Sequence, residues 1–189
     1  MKEFDHSVFN AFPVLKTSRL TLREIRPGDS KRIYDMRASG RVSEFIARPR
    51  MQTEQQALAL AEKSIAAYHN RQGIAWAGVL RENEEIIGTC GFNSLDMLNL
   101  HAEIGGEMGT EYWGKGIAVE AVKAIITFGL QHMNLHTIEA KVSPLNRSAI
   151  YLMEQLGFEK EAHHKDRILF NHTFIDMAVY TLIKGNEKL

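Results

Sequence analysis

The 189-residue sequence contains one cysteine, Cys90. A single thiol excludes an internal disulfide framework and a four-cysteine zinc site, and it fits a reducing cytoplasm, the expected compartment. Net charge is also missing. Lys+Arg and Asp+Glu both number 23, so the formal sum is zero. That argues against a dedicated nucleic-acid binder, although a local basic patch stays open. No apolar run is long enough to cross a membrane, and charges interrupt the N-terminus at once in Met1-Lys2-Glu3-Phe4-Asp5-His6, unlike a signal peptide. Prolines number four, and neither a low-complexity linker nor an internal repeat divides the chain. What is present is the composition of a soluble globular protein, 44% hydrophobic and 24% charged. The length suits one domain of good size or at most two small ones.

Periodicity gives an order of elements. Residues 1–16 read as an N-terminal extension with Phe4, Phe9 and Phe12 in no clear period, packing on the domain or on a second subunit. Residues 17–184 read as one α/β (α+β) domain. Leu20-Thr21-Leu22-Arg23-Glu24-Ile25 alternates as a half-buried strand. A short helix through Ile33, Tyr34, Met36 and Arg37 is broken by Arg48-Pro49-Arg50. Thr53-Glu54-Gln55-Gln56 has capping-box spacing and starts a helix running to near Gln72. Strands follow at 74–80 and 86–92, then a loop with Leu95, Met97 and Leu98, then a strand over 101–109. A helix over 116–132, a strand over 136–142, a helix over 146–155 and a final strand pair complete the chain. Hairpins join some strands and helices cross between others, so pairing is mixed.

The chemistry centres on residues 103–118. A strand there passes through Glu111-Tyr112-Trp113-Gly114-Lys115-Gly116 into a helix. Amides crowd together at such a helix start with the helix dipole behind them, which makes an anion site. A plain helix cap, a triphosphate loop and another pyrophosphate site compete. The triphosphate loop needs Gly-Lys-Ser/Thr, whereas Gly116-Ile117 follows the lysine here. A dinucleotide fold places its glycines after the first strand, and here three strands precede them. The plain cap and the pyrophosphate site both remain.

Ala102-Glu103-Ile104-Gly105 together with Glu-Tyr-Trp-Gly-Lys-Gly-Ile-Ala resembles the acetyl-CoA signature of the GNAT N-acetyltransferases. The family pattern Gln/Arg-x-x-Gly-x-Gly/Ala falls on Trp113, Gly116 and Ala118, with a departure at the first position. Trp113 preceded by Tyr112 is similar to the RimJ/RimL-like branch, which acetylates N-termini of ribosomal proteins. Thr17 to Arg23, Asn146-Arg147-Ser148-Ala149 with Leu156-Gly157-Phe158, and Phe174 to Tyr180 resemble further family segments in the same order. The resemblance implies a GNAT fold: a mixed, mostly antiparallel twisted sheet, splayed at a central bulge, with helices on both faces. It implies acetyl-CoA as cosubstrate and no metal. Gly114, Lys115, Gly116, Ile117 and Ala118 would hold the pyrophosphate. Met108 and Thr110 would offer main-chain groups to the pantetheine arm in the gap between splayed strands, and Asn146 would orient that arm or the peptide backbone, with a helix cap as its other reading. Gly105 and Gly106 would ease the bulge.

Acetyl transfer to an amine needs a base, because an ammonium has no lone pair. Glu103 is the candidate base, matching the strand glutamate of family members with the same Ala-Glu-Ile run. Glu107 shares its face by alternation and is a reserve base or a binder of a cationic substrate. The proton donor common in the family falls on Met153, which cannot donate. Ser148 is the nearest hydroxyl, and a helix-start cap is its other reading. The acceptor is an amine, either a protein N-terminus or a small molecule such as an aminoglycoside, polyamine or amino acid. A non-catalytic acyl-CoA-binding module is the reading from another class. Neither nucleic acid nor membrane is expected as a partner. A homodimer is expected from the family's habit and the aromatic extension.

Overall fold

The computed structural model describes residues 3–188. Eight strands form one sheet in the order β1-β2-β3-β4-β5-β6-β8-β7. They are β1 (Leu15–Lys16), β2 (Leu20–Glu24), β3 (Ile74–Leu80), β4 (Ile86–Asp96), β5 (His101–Met108), β6 (Thr137–Val142), β7 (Glu159–Phe170) and β8 (Thr173–Ile183). The four α-helices are α1 (Ser30–Ala38), α2 (Glu54–His69), α3 (Ile117–His132) and α4 (Arg147–Gln155). Neighbouring strands are antiparallel except β5 and β6, which run parallel across the α3 crossover.

Strand alternation sorts side chains into two cores. On β3, Ile74 and Trp76 join the larger core, while Ala77 and Val79 join a smaller one with Ile33 and Met36 of α1 and Ala57 and Ala61 of α2. On β5, Ala102 and Ile104 join the larger core, together with Ile117, Val122, Ile125 and Ile126 of α3. Glu103, Gly105 and Glu107 therefore face the α1–α2 side. Trp76 is fully buried, and its indole N–H donates to the Pro13 carbonyl (2.7 Å). Phe4 is buried, Phe12 packs against Tyr68 and Trp76, and the Tyr68 hydroxyl donates to the Val8 carbonyl (3.1 Å). The N-terminal aromatics thus turn inward, so they present little apolar surface to a second subunit.

Several boundaries differ from those expected. The first helix stops at Ala38, well before Pro49, and Ser39 is already extended. Residues 39–53 then wander in turns and coil. The capping box forms, with Gln56 Oε1 accepting from the backbone N–H of Gln52 (2.7 Å) and Thr53 (3.4 Å), and the helix it starts ends at His69 rather than Gln72. β4 runs on through Leu95 to Asp96, where a loop was expected. The reason is a bulge at Asn93: Phe92 pairs with Ile104 but Ser94 with Glu103. The central bulge is therefore in β4, not at Gly105 and Gly106, which pair regularly with Gly91 and Cys90. Those glycines serve close approach instead. A Cβ on Gly106 would sit 2.7 Å from the Thr89 carbonyl oxygen.

Candidate active site

β5 and β6 pair only at His101–Thr137, Ala102–Ile138 and Glu103–Glu139. Beyond that point β5 stays with β4, and β6 stays with β8. The sheet forks, and Glu103 stands at the vertex. The register shift at Asn93 lies directly across from it on β4, where the extra residue bends the strand.

Lys141 bridges the fork at its vertex. It lies two residues beyond Glu139 on β6, hence on the same face, and its ammonium donates to Glu103 Oε2 (2.6 Å) and lies 3.3 Å from Glu139 Oε1. The bond to Glu103 is the main reason the Lys141 ammonium is held above its ordinary range. Glu103 itself remains about a quarter exposed.

Beside the fork, on the α1–α2 face, lies a cavity of about 300 Å³. Glu103, Gly105, Glu107 and Lys141 border it from the sheet, and Arg37 and Arg48 border it from α1 and the following loop. Leu60, Ala61 and Ser64 of α2 supply a wall. The Met97–Leu100 loop does not line it: Met97 and Leu100 pack on the larger core, and Leu98 points to solvent. Cys90 reaches the cavity, and burial pushes its thiol up to about 12, which keeps it neutral. Glu107 is not available as a base. Its side chain is 3% exposed, with Arg37 bound to one carboxylate oxygen and Arg48 to the other. Glu111 is likewise engaged, by Arg32, which holds its carboxyl below the usual range.

The glycine turn lies at the far end of β5. Gly114 and Gly116 have φ of 72° and 69°, the left-handed region that favours glycine. Gly116 is the N-cap of α3 and offers no side chain to its first turn. Among the described residues the amides of Gly114 to Ala118 donate to no protein acceptor. The turn is pinned from β2's entry. Arg19 donates to the Lys115 carbonyl (2.8 Å) and to Glu120 Oε2 (2.6 Å), and the Ser18 hydroxyl donates to Glu120 Oε1 (2.9 Å). Although burial raises it, hydrogen bonds from Thr17, Arg19 and Ser18 hold the Glu120 carboxyl at about 2. Trp113 donates its indole N–H to the Met108 carbonyl (2.9 Å), and Thr110 opens a single 3₁₀ turn. The Lys115 ammonium lies 5.6 Å from the centre of the Tyr112 ring, over its face.

Asn146 caps α4, its side-chain oxygen accepting from the Ala149 amide (3.0 Å). Ser148 is exposed in the first turn of that helix; it is not the cap, and it lies outside the cavity lining. His163 pairs with Asp176 (2.6 Å), and no cluster of metal-ligating side chains occurs among the described residues. No helix among them is long and apolar enough to cross a membrane.

Residues 19–159 match the family described as "Acetyltransferase (GNAT) domain". The chain belongs to the GNAT acetyltransferases. YoaA of Bacillus subtilis (strain 168), described as an uncharacterized N-acetyltransferase, is 32% identical over 176 residues, spanning 93% of this chain and 99% of its own. The [Ribosomal protein uS5]-alanine N-acetyltransferase of Escherichia coli (strain K12) is 31% identical over 120 residues, 62% of each chain. Mycobacterium smegmatis RimJ, solved in complex with a CoA disulfide, superposes with a TM-score of 0.81 at 18% identity, covering 91% of this chain and 88% of its own. The GNAT fold and its mostly antiparallel sheet are thus as anticipated, and the relatives support the RimJ/RimL-like resemblance. As a GNAT protein the chain is an acetyl-CoA-dependent N-acetyltransferase.

Arg37, Arg48, Asn93 and Lys141 escaped the sequence reading. Only Lys141 left a usable signal: it alternates onto the face of Glu139, and pairing that strand beside Glu103 would have brought the lysine to the base.

Proposed function

We propose that this GNAT enzyme acetylates the amino terminus of a peptide or protein, with Glu103 as the base that takes the amine's proton. The observation carrying this reading is the position of Glu103. It stands at the fork vertex with one side on the gap between β5 and β6 and the other on the cavity. An acetyl donor lying in the gap and an amine entering from the cavity meet there. Acetyl-CoA supplies the acetyl group as a thioester. The unpartnered amides of Gly114 to Ala118 and the dipole of α3 suit its pyrophosphate, and the open space above Gly114 permits close approach. The gap suits the pantetheine arm, with Met108, Thr110 and Trp113 along its β5 edge and Asn146 at the start of α4.

Glu103 accepts the amine's proton directly or through one water. Lys141 keeps the carboxylate oriented and balances its charge. A thiolate is a weak base beside an amine, so it leaves without a dedicated acid; Ser148 is the nearest hydroxyl that the sequence suggested for that role. The pairing of Glu103, Glu107 and nearby Glu111 with cations weighs against a polyamine acceptor. A cytoplasmic setting fits the single reduced thiol.

The test is release of free thiol from acetyl-CoA with a panel of peptides, polyamines, aminoglycosides and amino acids, with product masses measured. Peptide N-termini are expected to be acetylated. Turnover confined to polyamines or aminoglycosides would overturn the reading.

A further inference from the structure

The cavity carries a charge arrangement that the transfer reaction does not require. Glu107 is sunk into the sheet face, and two guanidinium groups close over it, Arg37 from the last turn of α1 and Arg48 from the loop that follows. Two positive charges meet one negative charge. Among the described residues no other carboxylate lies within 4 Å of either arginine. Each guanidinium has five N–H donors and makes one side-chain hydrogen bond. Both side chains remain partly exposed, 18% for Arg37 and 24% for Arg48, and both border the cavity. Like charges held together in a partly buried site are costly unless an anion completes the set. A buried carboxylate that only needed neutralising would be satisfied by one arginine, whose fork bonds both oxygens.

We infer that Arg37 and Arg48 form an anion subsite that selects acceptors bearing an acidic group, and that the acceptor is a peptide N-terminus with Asp or Glu at its second or third residue. This rests on the proposed N-terminal acetyltransferase function. Spacing favours the peptide source. β5 rises about 3.3 Å per residue, so Glu103 and Glu107 are rooted about 13 Å apart. Only Gly105 lies between them on that face, and it raises no side chain into the path. A free α-amino acid holds its amine and carboxylate two bonds apart and does not span the base and the arginines. An extended peptide advances roughly 3.3–3.6 Å per residue, so an acidic side chain on the second or third residue does. The arginines choose the acceptor and take no part in the proton transfer.

The test compares peptides identical except for Asp or Glu against Asn or Gln at the second and third residues, alongside free aspartate and glutamate. Changing the peptide leaves the protein intact, so folding does not enter. Acetylation rates are read together with peptide affinity by calorimetry in the presence of CoA, which needs no turnover. The expected result is about tenfold higher kcat/KM and about tenfold tighter binding for acidic peptides, the scale of one charge-assisted hydrogen bond. In Arg48→Gln the ratio of acidic to amide peptide is expected to fall toward one. Equal handling of acid and amide peptides, an unchanged ratio in Arg48→Gln, or free glutamate matching the acidic peptide would each overturn the inference. Selective binding of acidic peptides without acetylation would uphold the subsite and overturn the proposed reaction. Acetylation of peptides regardless of charge would do the reverse.

Discussion

The ammonium of Lys141 lies 2.6 Å from the carboxylate of Glu103, across the point where β5 and β6 part. Thirty-eight residues separate the two in sequence, and the parallel pairing of Glu103 with Glu139 brings them together. The fork therefore holds a carboxylate that is oriented and charge-balanced yet partly open to the cavity.

Glu103→Gln keeps the shape of the side chain and removes the proton acceptor. General-base catalysis contributes about 10²–10⁴-fold. A loss of kcat in that range is expected, with CoA affinity changed little, read by thiol release and by calorimetry. An unchanged kcat would remove Glu103 from the reaction.

Gly116→Val places a β-branched residue at φ 69° in the middle of the amide cluster. The left-handed conformation alone costs an L-residue about 1–2 kcal/mol, and the new side chain crowds the approach to the helix start. CoA affinity is expected to fall by more than tenfold while the far-UV spectrum stays that of a folded protein. Retained CoA affinity would detach the turn from the cofactor.

Gly106→Ala and Gly105→Ala separate two kinds of close contact. A Cβ on Gly106 meets the Thr89 carbonyl at 2.7 Å and Cys90 Cβ at 2.8 Å, fixed parts of β4. A Cβ on Gly105 meets the end of the Asn93 side chain at 2.5 Å, which can swing away. Gly106→Ala is expected to cost about 1–3 kcal/mol of stability and Gly105→Ala less, measured by urea unfolding. The opposite ranking would contradict the packing described for β4 and β5.

Glu120 gives an acid dependence. Its carboxyl is held at about 2 in the folded protein, against about 4.3 in an unfolded chain. A depressed value favours the folded state at pH above the unfolded value, and the benefit fades as pH falls from about 4.3 toward 2. Wild type is expected to be more stable than Glu120→Gln by a constant margin above pH 5, and the margin should shrink progressively below it. Chemical unfolding of both proteins between pH 3 and 7 checks the sign. A margin independent of pH over that range would show that the carboxylate's charge is not what pins Arg19 and the glycine turn.

Much of the site was legible because it is local. The turn from Trp113 to Ala118 shows itself through two glycines before an apolar helical stripe, and both have positive φ. Asn146 sits three residues before the amide it caps, a spacing visible in one dimension. Glu103 and Glu107 could be placed on one face by alternation. Their partners could not be found this way. Arg37 and Arg48 reach Glu107 from 70 and 59 residues away, so a glutamate that reads as a spare base is a clamped one. The family resemblance implies a splaying bulge, and Gly105 and Gly106 are the residues of β5 that would ease one. The bulge falls instead on Asn93, a residue with no such signature, because the register of β4 is set by its pairing with β5.

The sequence by itself determined the order of helices and strands, the anion-seeking turn at the start of α3 and the face on which Glu103 stands. These follow from backbone conformation and from periodicity within a few residues. Only the tertiary structure decided which strands part company, which cations meet Glu103 and Glu107, and where the cavity opens. Those features depend on the register between distant strands and on where α1 ends. Hydrogen bonding across the sheet and packing over it settle both, and neither leaves a local signature in the chain.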